Sequence, residues 1–245
     1  MSRKISGLLA TATAAVVALG ASTPAQAVLM AYICDDLQCL GGNDVIVTDQ
    51  GAGDNFPGSG MVGQINSGAI NFAGFTITTN LSQSKPLIGS AGAPQMDISF
   101  SAVTNDSVSH TVFLYGSDTG FTGAGSVLLT LGGTQTPAGD GNTVQGRAWG
   151  GTSNNNLDFS GANLLANSGL MGVTPFALSA SGNLLPGANP YSLTIGMTVT
   201  RGTPGTTTGD LNVTVSAVPE PESVLLIAAG LAAMAAYKRR RKTAA

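Results

Sequence analysis

Charge is the scarcest property of this chain: Asp, Glu, Lys and Arg make up 9% of its 245 residues, about a third of the usual roughly 25%. That excludes a charge-rich disordered chain and a coiled coil. Aromatic residues reach only 5%, with one Trp. A single His and two Cys are too few for a His-built metal centre, a tetrahedral thiolate site or a disulfide-dense mini-protein. Between residues 28 and 217 Glu is absent. The cations there are Lys85, Arg147 and Arg201 against eleven Asp, a net of −8. Such a segment repels phosphate backbones, so no nucleic-acid partner is expected. Glycine, by contrast, is abundant at 34 residues, without the three-residue period of collagen.

The ends carry the clearest patterns. Residues 1–27 open with Arg3 and Lys4, continue through the apolar stretch Ile5 to Gly20, and close on Ala25-Gln26-Ala27. A cationic start, a short apolar segment and small residues flanking a cleavage point have the order of a secretory signal peptide, with Ala25 and Ala27 at the cut. Residues 218–245 reverse that order: Val218-Pro219-Glu220-Pro221-Glu222, an apolar segment from Ser223 to Tyr237, then Lys238-Arg239-Arg240-Arg241-Lys242. Pro221 suits a first helical turn, and the two Glu favour the positive end of that helix. Fifteen residues at 1.5 Å span roughly 22 Å, short of the ~30 Å hydrocarbon core. Snorkelling of Tyr237 and the basic cluster, with local thinning, closes the gap for a single transmembrane helix. The five cations assign that side to the cytoplasm.

Val218-Pro219-Glu220-Pro221, an apolar helix and a terminal Arg/Lys cluster resemble the PEP-CTERM sorting signal of Gram-negative bacteria, known also as the C-terminal segment of certain ice-binding proteins. The resemblance covers about the last 26 residues. It implies an exosortase-like protease or transpeptidase in the cytoplasmic membrane that recognises Pro219, Glu220 and Pro221 and removes the tail. The precursor is then membrane-anchored by its C-terminal helix, and the product ends at the cell surface or outside, with exopolysaccharide as a candidate partner. The resemblance implies an address and no activity.

Residues 28–217 read as one all-β passenger domain. Met96 to Ser101, Leu193 to Thr200 and Leu211 to Val215 alternate apolar and polar with a period of two. Ile70 to Thr78 alternates with a phase shift at Ala73-Gly74, where a bulge would restore the register. Val112 to Tyr115 and Val127 to Leu131 are continuous apolar runs suited to strands covered on both faces. Val45–Thr48, Val144–Trp149 and Phe176–Ala180 are weaker strands. Eight to ten short strands without helices predict a β-sandwich with jelly-roll or Ig-like connections. Its expected core is Phe72, Phe75, Ile77, Ile98, Phe100, Phe113, Leu129, Leu193, Ile195, Leu211 and Val213. Residues 132–142 and 149–167 read as long surface loops.

Chemistry-bearing patterns in the passenger are few. Cys34 and Cys39, in an exported chain, are expected to form a disulfide. His110 is the only imidazole, and Gly116-Ser117-Asp118-Thr119-Gly120 places Ser one position too early for a nucleophile elbow. A glycosidase pair commonly uses Glu as the acid, and the passenger has none. Catalysis is therefore not expected, nor a cofactor or metal centre. Asp140 with Asn142, and Asn154 to Asn156 with Asp158, are loop oxygens that calcium could use outside the EF-hand order. Thr76, Thr78 and Thr79 with Thr194, Thr198 and Thr200 suggest a hydroxyl face for sugar or ice, or simply outward strand positions. Trp149 is either a sugar-stacking platform or a core residue. A structural or interaction protein is the leading expectation, a carbohydrate-binding or adhesive module the second, and a hydrolase the third.

Overall fold

The computed structural model describes residues 28–55, 61–139, 141–151, 153–159, 163–184 and 190–217, with helical positions Ile227, Ala229, Gly230, Leu231 and Met234 beyond them. Ala25 and Ala27, expected to flank a signal cleavage, the motif Val218 to Pro221 and the cluster Lys238 to Lys242 lie outside the described residues. Among those described, no helix is long and apolar enough to cross a membrane.

Among the described residues thirteen strands form two sheets, and each of their pairings is antiparallel. β1 (Met30–Cys34), β2 (Val45–Thr48), β7 (His110–Phe121), β9 (Thr143–Gly151), β10 (Leu164–Asn167) and β12 (Tyr191–Arg201) build a six-stranded sheet in the order β10-β9-β12-β7-β1-β2. β3 (Gln64–Ile65), β4 (Gly68–Phe72), β5 (Phe75–Gln83), β6 (Gln95–Thr104), β8 (Gly125–Thr136), β11 (Phe176–Leu184) and β13 (Gly205–Ala217) build the second, in the order β11-β8-β13-β6-β5-β3, with β4 also on β5. The apolar positions of the alternating strands meet in one core. Phe75, Ile77, Ile98, Phe100, Leu129, Leu193, Ile195, Leu211 and Val213 are all buried in it. Phe72 is only partly buried, at the hairpin edge, and Phe113 packs instead into a second cluster on the far side of the six-stranded sheet.

That second cluster explains which strands are covered on both faces. Tyr32, Cys34, Tyr115 and Trp149 are buried with Leu157 and Phe159 packed against them, so β1 and much of β7 withdraw both faces from solvent. Val127 to Leu131 does not: β8 alternates, and Leu128 is 46% exposed because nothing overlies the second sheet at that point. The phase shift at Ala73-Gly74 is a hairpin turn, not a bulge. Phe72 pairs with Phe75, and both intervening residues have positive φ, 48° and 81°, as a two-residue hairpin loop matched to strand twist requires. Gly74 is also needed for space, since a Cβ there would run into the His110 ring. The β4–β5 pairing itself is regular; a register shift falls later on β5, between Thr79 and Leu81, where that strand pairs with β6. The two expected loops are partly strand: β8 extends through Thr136, β9 through Gly151, and β10 occupies Leu164–Asn167.

The pairings place both termini of the domain at one pole. Met30 opposes Ser117 in the lower half of β7, and Ala217 opposes Gly125 at the start of β8, immediately after β7 ends. The opposite pole carries the start of β7, the end of β6 and the disulfide loop.

Candidate functional site

Cys34 and Cys39 form a disulfide, with Cα atoms 5.2 Å apart. The loop it closes holds Asp35 and Asp36, and Asp44 approaches from the start of β2. Oxygens of the three carboxylates all lie within 4.8 Å of one another. Partial burial opposes ionisation of Asp36, but the N–H groups of Gln38, Leu40, Gly41 and Cys39 outweigh it and hold the carboxyl below its ordinary range. Asp36 accepts from Gln38 N at 2.7 Å and from Leu40 N at 3.1 Å. Asp44 is pushed up, first by partial burial and then by Asp36 and Asp35. These are hard oxygen ligands of the kind a divalent cation uses, although Asp36 already caps the loop's own backbone.

Three of the calcium candidates read from the sequence, Asn142, Asn154 and Asp158, hydrogen-bond within the scaffold. Asn142 is buried: its amide donates to Pro137 O at 3.1 Å and Thr203 Oγ1 at 2.9 Å, and its oxygen accepts from Gly202 N at 2.9 Å. Asn154 accepts from Gly120 N at 2.7 Å, and Asp158 from the Ser153 hydroxyl at 3.0 Å. Asp140 lies outside the described residues.

His110 begins β7 with its Nε2 2.9 Å from Asp106 Oδ1 and its ring edge-on to Phe75. That hydrogen bond, followed by the Val108 N–H, holds the Asp106 carboxyl below its usual range. Among the described residues no hydroxyl is bonded to the imidazole, so the pair forms no triad. Trp149 is 5% exposed, with Tyr115 and Phe159 edge-on at 6.0 and 5.1 Å. An indole enclosed in that way is core, not a platform for a sugar ring.

The threonine sets are not brought together. Thr76 and Thr78 lie on β5 of one sheet, while Thr194, Thr198 and Thr200 lie on β12 of the other. Thr194 is buried against Ser117 Oγ at 2.8 Å, and Thr200 meets Thr111 at 2.9 Å. A different row escaped the sequence reading. Thr78, Ser101, Thr208 and Thr134 are successive cross-strand partners over β5, β6, β13 and β8, and the last two hydroxyls are 2.9 Å apart. Two residues further along the strands, Asp210 opposes Ser99, and Asn212 opposes Asp97. Partial burial, reinforced by neighbouring Asp210, pushes the Asp97 carboxyl up to about 6. Beside them, Gly132 leaves a shallow depression edged by Thr130, Ala177, Ser179 and Asp210. No sequence signal could reveal this face, since it depends on the register of four strands distant in the chain.

One further ionic group is structural. Asp118 is fully buried, with its Oδ2 2.9 Å from Lys85 Nζ and 2.6 Å from Ser84 Oγ, and the Lys85 ammonium sits 3.9 Å over the Phe121 ring.

These features define a two-sheet β-sandwich without a convergent catalytic cluster among the described residues. Its C-terminal neighbour is more specific: residues 217–242 match the PEP-CTERM protein-sorting motif. The chain thus carries the sorting signal of an exosortase-targeted exported protein. A search of curated proteins returns no match.

Proposed function

We propose that this chain is a precursor held in the cytoplasmic membrane by its C-terminal helix, processed by an exosortase-like enzyme at Pro219-Glu220-Pro221, and released to the cell surface or extracellular matrix. There the sandwich has a structural or interaction role without catalysis. The observation that carries this reading is the match beginning at Ala217, the last residue of β13: sorting signal and folded domain abut. Supporting it, Ile227, Leu231 and Met234 are helical and about 60% exposed, at 64, 59 and 64%. Apolar side chains exposed at these helical positions suit lipid. Deleting Pro219–Pro221 should leave intact precursor in the cytoplasmic membrane, as fractionation and intact mass would read. Normal maturation of that deletion would refute the sorting route.

The hydroxyl row favours a second reading, a module that binds neutral polysaccharide. Hydroxyl and carboxylate groups at the 4.7–4.9 Å strand spacing offer sugar hydroxyls a ladder of hydrogen bonds. Glycan-array binding lost on Thr208→Val, with the unfolding midpoint unchanged, would support it. Trp149→Ala is not a usable probe, because removing a buried indole costs about 3–5 kcal/mol.

A further inference from the structure

Both membrane-directed segments of the precursor leave from the same pole of the sandwich. Val28, where the signal segment would be cut away, precedes Leu29, whose carbonyl accepts from Asp49 N. Ala217 ends β13, a strand that lies between β8 and β6 in the second sheet, and pairs with Gly125 of β8. Five residues, 218–222, separate it from the apolar stretch that starts at Ser223. Fully extended they reach at most ~18 Å. β13 itself, at thirteen residues, is about 43 Å long, so the tether is shorter than the domain.

The two poles differ in charge. At the tail pole lie the 84–94 and 122–124 connections, made of Ser, Gly, Ala, Pro, Leu, Ile and Thr apart from Lys85, which is satisfied by buried Asp118. Asp54, close by, is buried and accepts from Gln50 and Asn66 N–H groups, and half-buried Asp49 accepts from Gly63 N at 2.7 Å. Asp158 is also half-buried there. The opposite pole presents Asp35, Asp36 and Asp44, and Asp106 with its side chain 53% exposed. The tail pole is also firmly built. Thr122 N and Gly123 N both donate to Ala91 O, Ser84 N to Gly63 O, and Val215 N to Pro94 O. A Cβ on Gly123 would run into the Gly92 carbonyl.

From the tether length and this asymmetry we infer that the 84–94 and 122–124 connections form a face that rests on the anionic surface of the bilayer while the tail is inserted, with the acidic pole directed away. The inference rests on the anchored-precursor reading. The short tether confines the domain to the interface. Repulsion between anionic headgroups and the exposed Asp35 and Asp106, with partly buried Asp36 and Asp44 beside Asp35, selects the orientation, since at the tail pole Asp49 and Asp158 are partly buried and Asp54 and Asp118 are buried.

The test is amide hydrogen exchange read by mass spectrometry on the full chain reconstituted into vesicles of phosphatidylethanolamine and phosphatidylglycerol, against a chain ending at Ala217 mixed with the same vesicles. The hydrogen-bonded amides of Ile88, Thr122 and Gly123 should exchange several-fold more slowly in the full chain, while residues 35–44 are unchanged. Inserting about a dozen Gly/Ser residues after Ala217, a tether of roughly 19 Å more, should abolish the slowing. Protection of 223–237 without slowing at Ile88, Thr122 and Gly123 overturns the inference and leaves anchoring intact. Loss of protection at 223–237 overturns anchoring and the inference together. Slowing at 35–44, or slowing that survives the insertion, also overturns it.

Discussion

Replacing Lys85 by methionine isolates what a buried charge costs when its partner is removed. In the native domain Asp118 has no exposed side-chain surface, and it accepts from Lys85 Nζ at 2.9 Å, Ser84 Oγ at 2.6 Å and Thr119 N at 2.7 Å. Methionine keeps the length of the stem and can still lie on the Phe121 ring, so packing is conserved while the cation is lost. Removing one partner of a buried pair costs about 3–5 kcal/mol. The two remaining hydrogen bonds to Asp118 place this case near 3. For a domain of this size that lowers Tm by roughly 6–12 °C, a large share of the 5–15 kcal/mol that usually separates folded from unfolded. Urea unfolding at pH 7, followed by the fluorescence of the buried Trp149, is the assay. The double variant K85M/D118N, with no charge left to bury, should recover about half of the loss. A cost under about 1 kcal/mol for K85M would mean that the pair behaves as a solvated surface bridge, and the reasoning fails.

Three further outcomes follow from local geometry. With the Asp97 carboxyl raised to about 6 from its ordinary 3.8, the unfolded chain binds fewer protons than the folded one between those values, so stability falls as pH rises from 4 through 6. Discounted for partial exposure the effect is about 1–2 kcal/mol, and Asp97→Asn should remove that slope and raise the urea midpoint at pH 7. A C34S/C39S variant should lose about 2 kcal/mol, the chain-entropy value for so short a loop, in urea unfolding under oxidising conditions; wild-type protein kept reduced should show the same loss. Ala73, at φ 48° in the β4–β5 turn, should be stabilised by about 0.5–1 kcal/mol on replacement by glycine, read as a higher thermal midpoint, and a lower midpoint would contradict the hairpin assignment.

How much could be read without coordinates depends on whether local pattern or distant register decides the outcome. Met96 to Ser101 alternates because β6 buries one face only, so its inward residues Met96, Ile98 and Phe100 were legible from spacing. The Cys34–Cys39 bridge was legible from separation and export. Gly132 and Gly133 look like loop formers, yet they sit within β8. A side chain at Gly133 would strike Thr208 O and the Phe176 ring, so glycine marks close packing there and not a turn. Leu164–Asn167 is a strand because Ala166 and Asn167 pair with Ala148 and Arg147, a partner that its own composition does not specify. The alternation of Met96 to Ser101 marks Asp97 only as an ordinary outward residue. Its diagonal neighbour Asp210, 113 positions away by number, makes removal of the charge stabilising instead. The Lys85–Asp118 pair and the carboxylate trio were hidden for the same reason.

The shared pole of the two termini follows from one irregularity in the strand count. In an antiparallel sandwich, successive strands reverse direction, so thirteen full passes would leave the first and last residues at opposite ends. β3 and β4 are not separate passes. Both pair with β5, Gln64 and Ile65 with its last residues and Gly68 to Phe72 with its first. They therefore run the same way as one interrupted edge strand, broken at Asn66-Ser67, where Asn66 Oδ1 accepts from Gly68 N at 3.0 Å. Twelve effective passes bring the chain back to the pole it started from. A domain that began and ended at opposite poles would need a linker some 40 Å long to keep both exported ends near the bilayer. On the proposed anchored-precursor reading, the five residues 218–222 suffice as a tether, because the interrupted edge strand returns Ala217 to the pole where the domain began.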